Sequence, residues 1–294
     1  MKITLTFLFI LFSPSVFAQV TFKWLGTTGF AISDQATTLI FDPAFTRIPV
    51  HDYLPFRTVK SDPIEVDYWM NKCGLKSIQG TFGNHAHADH IIDAPYVVKK
   101  YGGKLFGSSS VVNVGLGQGL NMNQVQIIKH GDEWKVGSFT IKPFNTPHPP
   151  HIFDIMLMNG HIEKPLHTPT SVWNYLVGDT HSFLITHPKG SILFQAIGEI
   201  SEHDPLQNIK ADILLLTIAN RISSEELIQK RVLPSSAKIL IPLHYDNFFY
   251  KMRRDDEIDE VWGVKVDEFK EKIKTMTKNV NMKWPRYCEE VPLF

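Results

Sequence analysis

Short apolar runs, separated by glycine and aspartate, dominate the first third of the chain. Four of these runs predict strands, at residues 20–25, 30–33, 38–41 and 77–82. The last run leads into a histidine-rich segment. After it, residues 89–101 have the pattern of a helix, which Gly102 and Gly103 are expected to end.

The middle of the chain combines short strands with one long irregular segment. Residues 134–136 and 138–144 predict a hairpin, and residues 182–186 and 191–195 predict two further strands. Between them, residues 145–170 are rich in proline and histidine and show no periodicity. Such a segment is typical of a long functional loop.

The second half of the chain alternates strand and helix patterns. Residues 212–218 and 238–243 are continuous apolar runs, as expected for strands buried on both faces. Ser223 and Glu226 form a capping box for a helix over residues 223–232. Strands in both halves, flanked by helices, predict a layered α/β sandwich. No repeat or flexible linker divides the chain, so one domain is expected over residues 19–294.

The first eighteen residues form a predicted signal peptide. Lys2 precedes an apolar run over residues 3–12, and Val16-Phe17-Ala18 resembles a signal-peptidase site. The run is too short to span a bilayer comfortably, so we expect no transmembrane anchor. The sequence therefore predicts cleavage after Ala18 and export to the periplasm or outside the cell.

Composition narrows the classes of partner. Thirty lysines and arginines balance thirty aspartates and glutamates, so the formal net charge is zero. Nucleic-acid binders usually carry a basic excess, and we expect no nucleic-acid partner; no protein partner can be inferred. The two cysteines, Cys73 and Cys288, either pair in an oxidising compartment or stay as thiols, and sequence alone favours neither.

One cluster carries the chemistry of this chain, the segment Asn84-His-Ala-His-Ala-Asp-His90. Imidazole and carboxylate groups are the natural ligands of zinc and related divalent ions. His85 and His87 alternate, so in an extended loop both can point the same way, while Asp89 and His90 begin a helix and reach a second point nearby. The cluster predicts a metal site between a buried strand and a helix.

At these residues the chain resembles the metallo-β-lactamase superfamily, whose signature is H-x-H-x-D-H. The resemblance covers nearly the whole chain after residue 18 and includes Phe41-Asp42-Pro43 and the segments 134–148, 211–218 and 239–246. It is greatest for the branch that contains N-acylphosphatidylethanolamine phospholipase D and the ascorbate-phosphate lactonases. The resemblance implies an α/β fold in the form of a four-layer αββα sandwich.

The resemblance also implies a role for each candidate ligand. A first metal ion would be held by His85, His87 and His148. A second would be bound by Asp89, His90 and His244. Asp42 would be structural and accept hydrogen bonds from the ligand loop. His151 is a rival to His148, which we prefer because it follows the predicted strand more closely. Zn²⁺ is the expected ion, with Mn²⁺ and Fe²⁺ as alternatives.

One departure from the family pattern concerns the aspartate that usually bridges two metal ions. Ile197 stands about where that residue is expected, after the strand at residues 191–195. Glu199 is a possible substitute for the bridge, and Asp179 is a poorer one because it precedes a different strand. Losing a negative ligand between two cations predicts one strong metal site and a second that is weak or absent.

The chemistry expected of such a site is hydrolysis. A bound divalent ion lowers the pKa of its water to about 7, which gives hydroxide at neutral pH. Asp89 would hold the nucleophile or pass a proton, and His244 would stabilise charge on the oxygen. No Gly-x-Ser-x-Gly nucleophile elbow is present.

The substrate is less well defined than the reaction. His151, Phe153 and Trp173 lie in or beside the long loop and would line an apolar pocket, or the loop is a lid that packs on itself. An ester, lactone or phosphodiester of a small or lipid-like molecule fits best. Two other classes stay open: an iron-dependent oxidoreductase on the same fold, and a metal-binding protein without catalytic activity.

Overall fold

The computed structural model describes most of the chain after the predicted signal peptide, which lies outside the described residues. The described residues are 19–150, 156–196, 204–219, 221 and 223–294. Among them, no helix is both long enough and apolar enough to cross a membrane.

Two sheets of seven strands each form the centre of the described structure. The first contains β1 (Thr21–Gly26), β2 (Gly29–Ser33), β3 (Thr38–Phe41), β4 (Gly80–Phe82), β5 (Lys104–Gly107), β6 (Val125–Ile127) and β14 (Glu290–Pro292). The second contains β7 (Trp134–Val136), β8 (Phe139–Asn145), β9 (His181–His187), β10 (Gly190–Gln195), β11 (Ile213–Thr217), β12 (Ile239–Leu243) and β13 (Asn281–Met282).

Both sheets are mixed. The strand orders are β14-β1-β2-β3-β4-β5-β6 and β13-β12-β11-β10-β9-β8-β7. Strands β3 to β6 run parallel in the first sheet, as do β10 to β13 in the second. The other neighbouring pairs are antiparallel.

Helices flank the two sheets, and this confirms the predicted α/β sandwich. The α-helices are α1 (Pro63–Lys72), α2 (Ala88–Ile91), α3 (Ala94–Tyr101), α4 (Ser109–Gly117), α5 (Ser224–Leu227), α6 (Leu233–Ser235) and α7 (Val266–Met276). Short 3₁₀ segments lie at Val50–Tyr53, Met122–Gln124 and Val172–Asn174.

A row of stacked aromatic rings crosses the strands of the first sheet and contacts aromatic rings of the second sheet. The row consists of Phe22, Phe30, Phe41, Phe82 and Phe106, with successive ring centroids 4.6 to 5.7 Å apart. From the second sheet, Phe194 meets Phe30 edge-on at 4.8 Å and Phe183 meets Phe41 at 5.5 Å. Cross-strand aromatic pairs stabilise strand register, and edge-to-face contacts favour one docking of the sheets.

The strand directions bring the candidate ligands to one edge of the sandwich. Asp42 follows the end of β3, the histidine cluster follows β4, and His244 follows β12. Strand β8 is antiparallel to β9, which is antiparallel to β10, so β8 also points its carboxyl end, and His148 beyond it, in the direction of β10. In α/β sheets the carboxyl ends of the strands are where ligands bind.

The helix predicted over residues 89–101 is two helices in the structure. It divides into α2 and α3, and Asp93 is the residue that precedes α3. Pro95 lies in the first turn of α3 and has no N–H to donate to the carbonyl four residues earlier, which favours an interruption there. Because the helix is divided, the direction of α2, which carries Asp89 and His90, is independent of the direction of α3.

The predicted helix over residues 223–232 begins as expected and then changes form. The Ser223 hydroxyl accepts a hydrogen bond from the Glu226 backbone N–H at 3.0 Å. After α5, residues Ile228–Val232 form a π-helical segment before α6. Sequence periodicity does not distinguish π-helical from α-helical winding over a single turn, so this change could not be predicted.

The two cysteines form a disulfide between Cys73 and Cys288, whose Cα atoms are 4.6 Å apart. We expect replacement of both cysteines by alanine to lower the free energy of unfolding by about 2–5 kcal/mol, because the open chain gains entropy when this long loop is released. Urea unfolding of the two proteins at the same pH measures the difference. A change below about 0.5 kcal/mol would show that the bond does not constrain the unfolded chain.

Candidate metal centre

Two clusters of ligand-type side chains lie next to each other at this edge of the sandwich. The first consists of His85, His87 and His148, and the second of Asp89, His90 and His244. In each cluster the three potential ligand atoms lie within 4.8 Å of one another. The rings of His85 and His90 have centroids 4.0 Å apart, so the two clusters share a boundary.

The first cluster draws histidines from both sheets. His85 Nε2 lies 3.0 Å from His87 Nδ1, and both side chains are almost fully buried. The ring of His148 stands 5.0 Å from each of theirs. The structure thus places His148, whose rival His151 lies outside the described residues, directly beside the two histidines of the motif.

The second cluster centres on Asp89. Its Oδ2 lies 3.5 Å from His90 Nε2 and 3.8 Å from His244 Nε2. The rings of His90 and His244 are 5.4 Å apart. Two imidazoles therefore face one carboxylate oxygen, which leaves room for a small cation or a water molecule among the three groups.

A hydrogen-bond network behind His90 fixes the orientation of its ring. Thr28 Oγ1 donates to Asp42 Oδ2 at 2.7 Å. His90 Nδ1 lies 2.8 Å from Thr28 Oγ1 and 3.1 Å from Asp42 Oδ2, so it carries the proton and donates towards them. The lone pair of His90 is then on Nε2, which faces Asp89. Partners of this kind set the tautomer of a metal-binding histidine.

Asp42 also holds the start of the ligand loop. Its Oδ1 accepts a hydrogen bond from the Asn84 backbone N–H at 2.8 Å, and the residue is fully buried. The side-chain oxygen of Asn84 in turn contacts His85 Nδ1. His148 Nδ1 donates to the carbonyl of Pro149 at 2.6 Å. These contacts assign the outer nitrogen of each ring as a donor and turn its Nε2 towards the cluster.

Left-handed backbone conformations occur at three positions around the clusters. Thr27, Asp42 and His244 have φ values of 51°, 45° and 60°. Such values are uncommon outside glycine and are kept where the surroundings demand them. Asp42 and His244 each follow a strand immediately, and the conformation turns the chain sharply inwards. The backbone N–H of His244 donates to the carbonyl of Thr27 at 2.9 Å, which joins two of these turns.

A buried ion pair supports the turn at His244. Arg47 Nη2 lies 2.7 Å from Asp246 Oδ2, and both side chains are almost completely excluded from solvent. Asp246 also accepts hydrogen bonds from the Thr27 backbone N–H at 2.8 Å and from the Tyr287 hydroxyl at 3.0 Å. The carboxylate therefore ties β1, the segment after β12 and the chain before β14 together beneath the second cluster.

Burial and neighbouring charges set the ionisation of the site. Burial, with the adjacent histidines, holds the pKa of His85 well below 6.5, so this imidazole is neutral and able to act as a ligand. Burial alone would raise the pKa of Asp89, but the surrounding histidines lower it to about 2. Burial also lowers the pKa of His244, to about 4. The centre thus combines low-pKa imidazoles at His85 and His244 with a permanent carboxylate. Burial opposes ionisation of His90, but Asp89 and Asp42 outweigh it and raise the pKa of that imidazole above 6.5.

This donor set fits a divalent transition-metal ion. Two nitrogens bound tetrahedrally to zinc at 2.0–2.1 Å would lie about 3.4 Å apart, and His85 Nε2 and His87 Nδ1 lie slightly closer than that, at 3.0 Å. Buried imidazole lone pairs that converge on one point need a cation or a proton between them. Nitrogen and carboxylate ligands suit Zn²⁺, and also Mn²⁺ or Fe²⁺.

The position of the bridging ligand falls outside the described residues. Ile197 and the possible substitute Glu199 belong to residues 197–203, and Phe153 of the predicted pocket belongs to residues 151–155. The alternative bridge Asp179 is described and exposed. Neither of the two ligand clusters includes Asp179.

Tyr53, Phe248 and Phe249 lie beside the centre and were not among the residues predicted from the sequence. Trp173, the described member of the predicted pocket, is 41% exposed and meets the ring of Tyr53 edge-on at 6.2 Å. Tyr53 meets Phe249, and Phe248 packs on the ring of His244 at 5.1 Å. These residues come from irregular segments far apart in the sequence, where no periodicity links them.

Comparison with known proteins identifies the fold. No protein-family model and no curated protein matches the chain. It is similar to the solved structure of Igni18, a metallo hydrolase from the archaeon Ignicoccus hospitalis, with 17% identity and a TM-score of 0.59, over 94% of this chain and 99% of that one.

Two further solved structures extend the comparison. The metallo-β-lactamase fold protein YhfI from Bacillus subtilis has 12% identity and a TM-score of 0.56, over 92% of this chain and 99% of that one. CmlA, a diiron β-hydroxylase from Streptomyces venezuelae, has 12% identity and a TM-score of 0.56, over 94% of this chain and 54% of that one. This chain has the metallo-β-lactamase fold, as the histidine motif led us to expect.

Proposed function

We propose that the protein is an exported metal-dependent hydrolase that cleaves an ester, lactone or phosphodiester bond in a small or lipid-like molecule. The observation that carries the proposal is the convergence of His85, His87 and His148 beside Asp89, His90 and His244, in two adjoining clusters. The similarity to Igni18, itself described as a metallo hydrolase, supports the same class of reaction.

In this proposal His85, His87 and His148 hold a Zn²⁺ ion strongly. Asp89, His90 and His244 form a second site. This site is weak or empty, because Ile197 stands about where the family has its bridging aspartate. A divalent ion held at the first site supplies Lewis-acid activation of water at neutral pH and polarises the bond to be cleaved.

The protein's own groups would then control the proton and the developing charge. Asp89 stays ionised at neutral pH, because its pKa is about 2, and its Oδ2 can accept the proton of the attacking water and pass it to the leaving group. His244 Nε2 lies 3.8 Å from that oxygen and can donate to the oxyanion of the substrate. The Asp42 and Thr28 network would keep His90 in the tautomer described above.

The proposal predicts about one tightly held Zn²⁺ or Mn²⁺ per chain after dialysis, and hydrolysis in at least one of the three substrate classes. Metal content is measured by mass spectrometry on the purified mature protein. Hydrolysis is then assayed before chelation, after chelation and after the ion is restored. Absence of metal after reconstitution, or a fully loaded protein that hydrolyses no member of the three classes, would contradict the proposal.

A second candidate function is an iron-dependent oxidation. The fold similarity to CmlA, a diiron enzyme, favours it, and imidazole and carboxylate ligands also suit iron. The same metal measurement separates the two candidates. Bound iron, together with oxygen consumption in the presence of a reductant, would support the oxidoreductase and count against the hydrolase.

A further inference from the structure

A chain of aromatic rings leads from the surface to the candidate metal centre. We call the rings of Trp173, Tyr53, Phe249 and Phe248 the aromatic wall. Successive centroids are separated by 6.2 Å, 6.0 Å and 4.4 Å. The last ring of the wall stands 5.1 Å from the ring of His244 in the second cluster.

The wall differs from the protein core in its exposure. The core rings of Phe30 and Phe41 are completely buried, whereas Trp173 is 41% exposed and the other three rings of the wall are partly exposed. These four rings lie in 3₁₀ segments and a loop rather than in the sheets. Partly exposed aromatic side chains that border a polar centre are typical of ligand sites.

The wall is also held in place by polar contacts. The Trp173 indole N–H donates to the backbone carbonyl of Tyr53 at 2.8 Å, which fixes the two residues relative to each other. The Tyr53 ring also packs against the apolar cluster that includes Ala86 and Ala88 of the ligand loop.

We propose that the aromatic wall is the subsite for an aryl or medium-length alkyl group of the substrate whose polar end lies at the metal centre. This inference rests on the proposed function for the position of the polar end, and it adds the class of substrate: carboxylic or phosphoric derivatives with an apolar group. Aromatic rings in a fixed arrangement bind such a group with little loss of side-chain entropy.

The test uses carboxylates as probes, because a carboxylate can coordinate the metal while its apolar part reaches the wall. Acetate, hexanoate and 4-phenylbutyrate are titrated by calorimetry into the mature protein, with and without added Zn²⁺. We expect 4-phenylbutyrate to bind at least about tenfold more tightly than acetate, with hexanoate between them, because affinity rises with the apolar area that a probe buries.

Variants of the wall locate the preference. We expect Tyr53→Ala and Phe249→Ala each to reduce the preference for 4-phenylbutyrate about threefold or more, because each removes a ring face that the probe would cover. Tyr53→Phe keeps the ring and should keep the preference. Tyr250→Ala is the matched control, because Tyr250 is an exposed aromatic residue directly after the wall.

The outcomes separate this inference from the proposed function. Equal affinity for the three carboxylates, or a preference that survives both alanine variants unchanged, would overturn the wall as a subsite. A preference lost in Tyr53→Ala but kept in Tyr53→Phe supports it. Because binding is the readout, a protein that binds 4-phenylbutyrate through the wall but hydrolyses nothing would refute the hydrolase and leave the subsite standing.

Discussion

Replacing His87 by alanine is expected to remove the tightly held metal ion and to lower kcat/KM on the order of 10³-fold or more. The side chain is almost fully buried, and its Nδ1 lies 3.0 Å from His85 Nε2. The alanine side chain cannot bind a metal, so the first cluster keeps only two histidine ligands. The Lewis-acid contribution of the ion, on the order of several kcal/mol, is then lost. Metal content after dialysis and steady-state kinetics on the best substrate measure both effects.

Other histidines of the chain provide the controls for this experiment. His167 is exposed and belongs to neither cluster, so His167→Ala should keep both the metal and the activity. His148→Ala should behave like His87→Ala, whereas His151→Ala should keep the ion. An unchanged metal content in His87→Ala would show that this cluster is not the strong site. Loss of the ion in His151→Ala but not in His148→Ala would show that His151 is the third ligand.

Asp246→Asn is expected to lower the free energy of unfolding by about 3–5 kcal/mol, because it leaves a buried guanidinium without its counter-charge. The Asp246 carboxylate pairs with Arg47 at 2.7 Å and also accepts hydrogen bonds from Thr27 and Tyr287. An amide can replace part of the hydrogen bonding but none of the charge. Urea unfolding at neutral pH, with metal removed from both proteins, measures the effect.

Two further variants show whether the charge or the site of substitution is responsible. Asp179→Asn removes an exposed carboxylate, and its effect should stay within about 0.5 kcal/mol. The double variant Arg47→Met with Asp246→Leu removes both charges and should recover most of the stability lost in the single variant. If Asp246→Asn unfolds at the same urea concentration as the unchanged protein, the pair does not support the fold.

The sandwich could be predicted from the sequence because its strands carry local signals. Runs such as residues 38–41 and 212–218 are apolar, bounded by turn residues, and nearly coincide with β3 and β11. The helix start at Ser223 was equally local, since a hydroxyl and a backbone N–H three residues apart define it. The motif at residues 85–90 was predictable for the same reason, because its four ligand-type side chains are close together in the sequence.

Features that depend on distant parts of the chain could not be predicted in this way. The sequence left the pairing of Cys73 with Cys288 open, because only the packed fold brings their Cα atoms within 4.6 Å. Thr28 lies in a turn and Arg47 in an irregular segment. Their importance comes from Asp42, His90 and Asp246, which other segments supply. The aromatic wall has the same origin, since Tyr53, Trp173 and Phe249 share no periodic pattern.

The pairing of β14 with β1 has a consequence for the order in which the protein acquires its structure. The strand made first in the described chain lies between β2 and the strand made last, so one side of β1 stays unpaired until residues 290–292 are available. Non-local contacts of this kind slow folding. Until then β1 exposes a row of unpaired backbone groups, and such a row in a partly folded chain is a site for pairing with another chain.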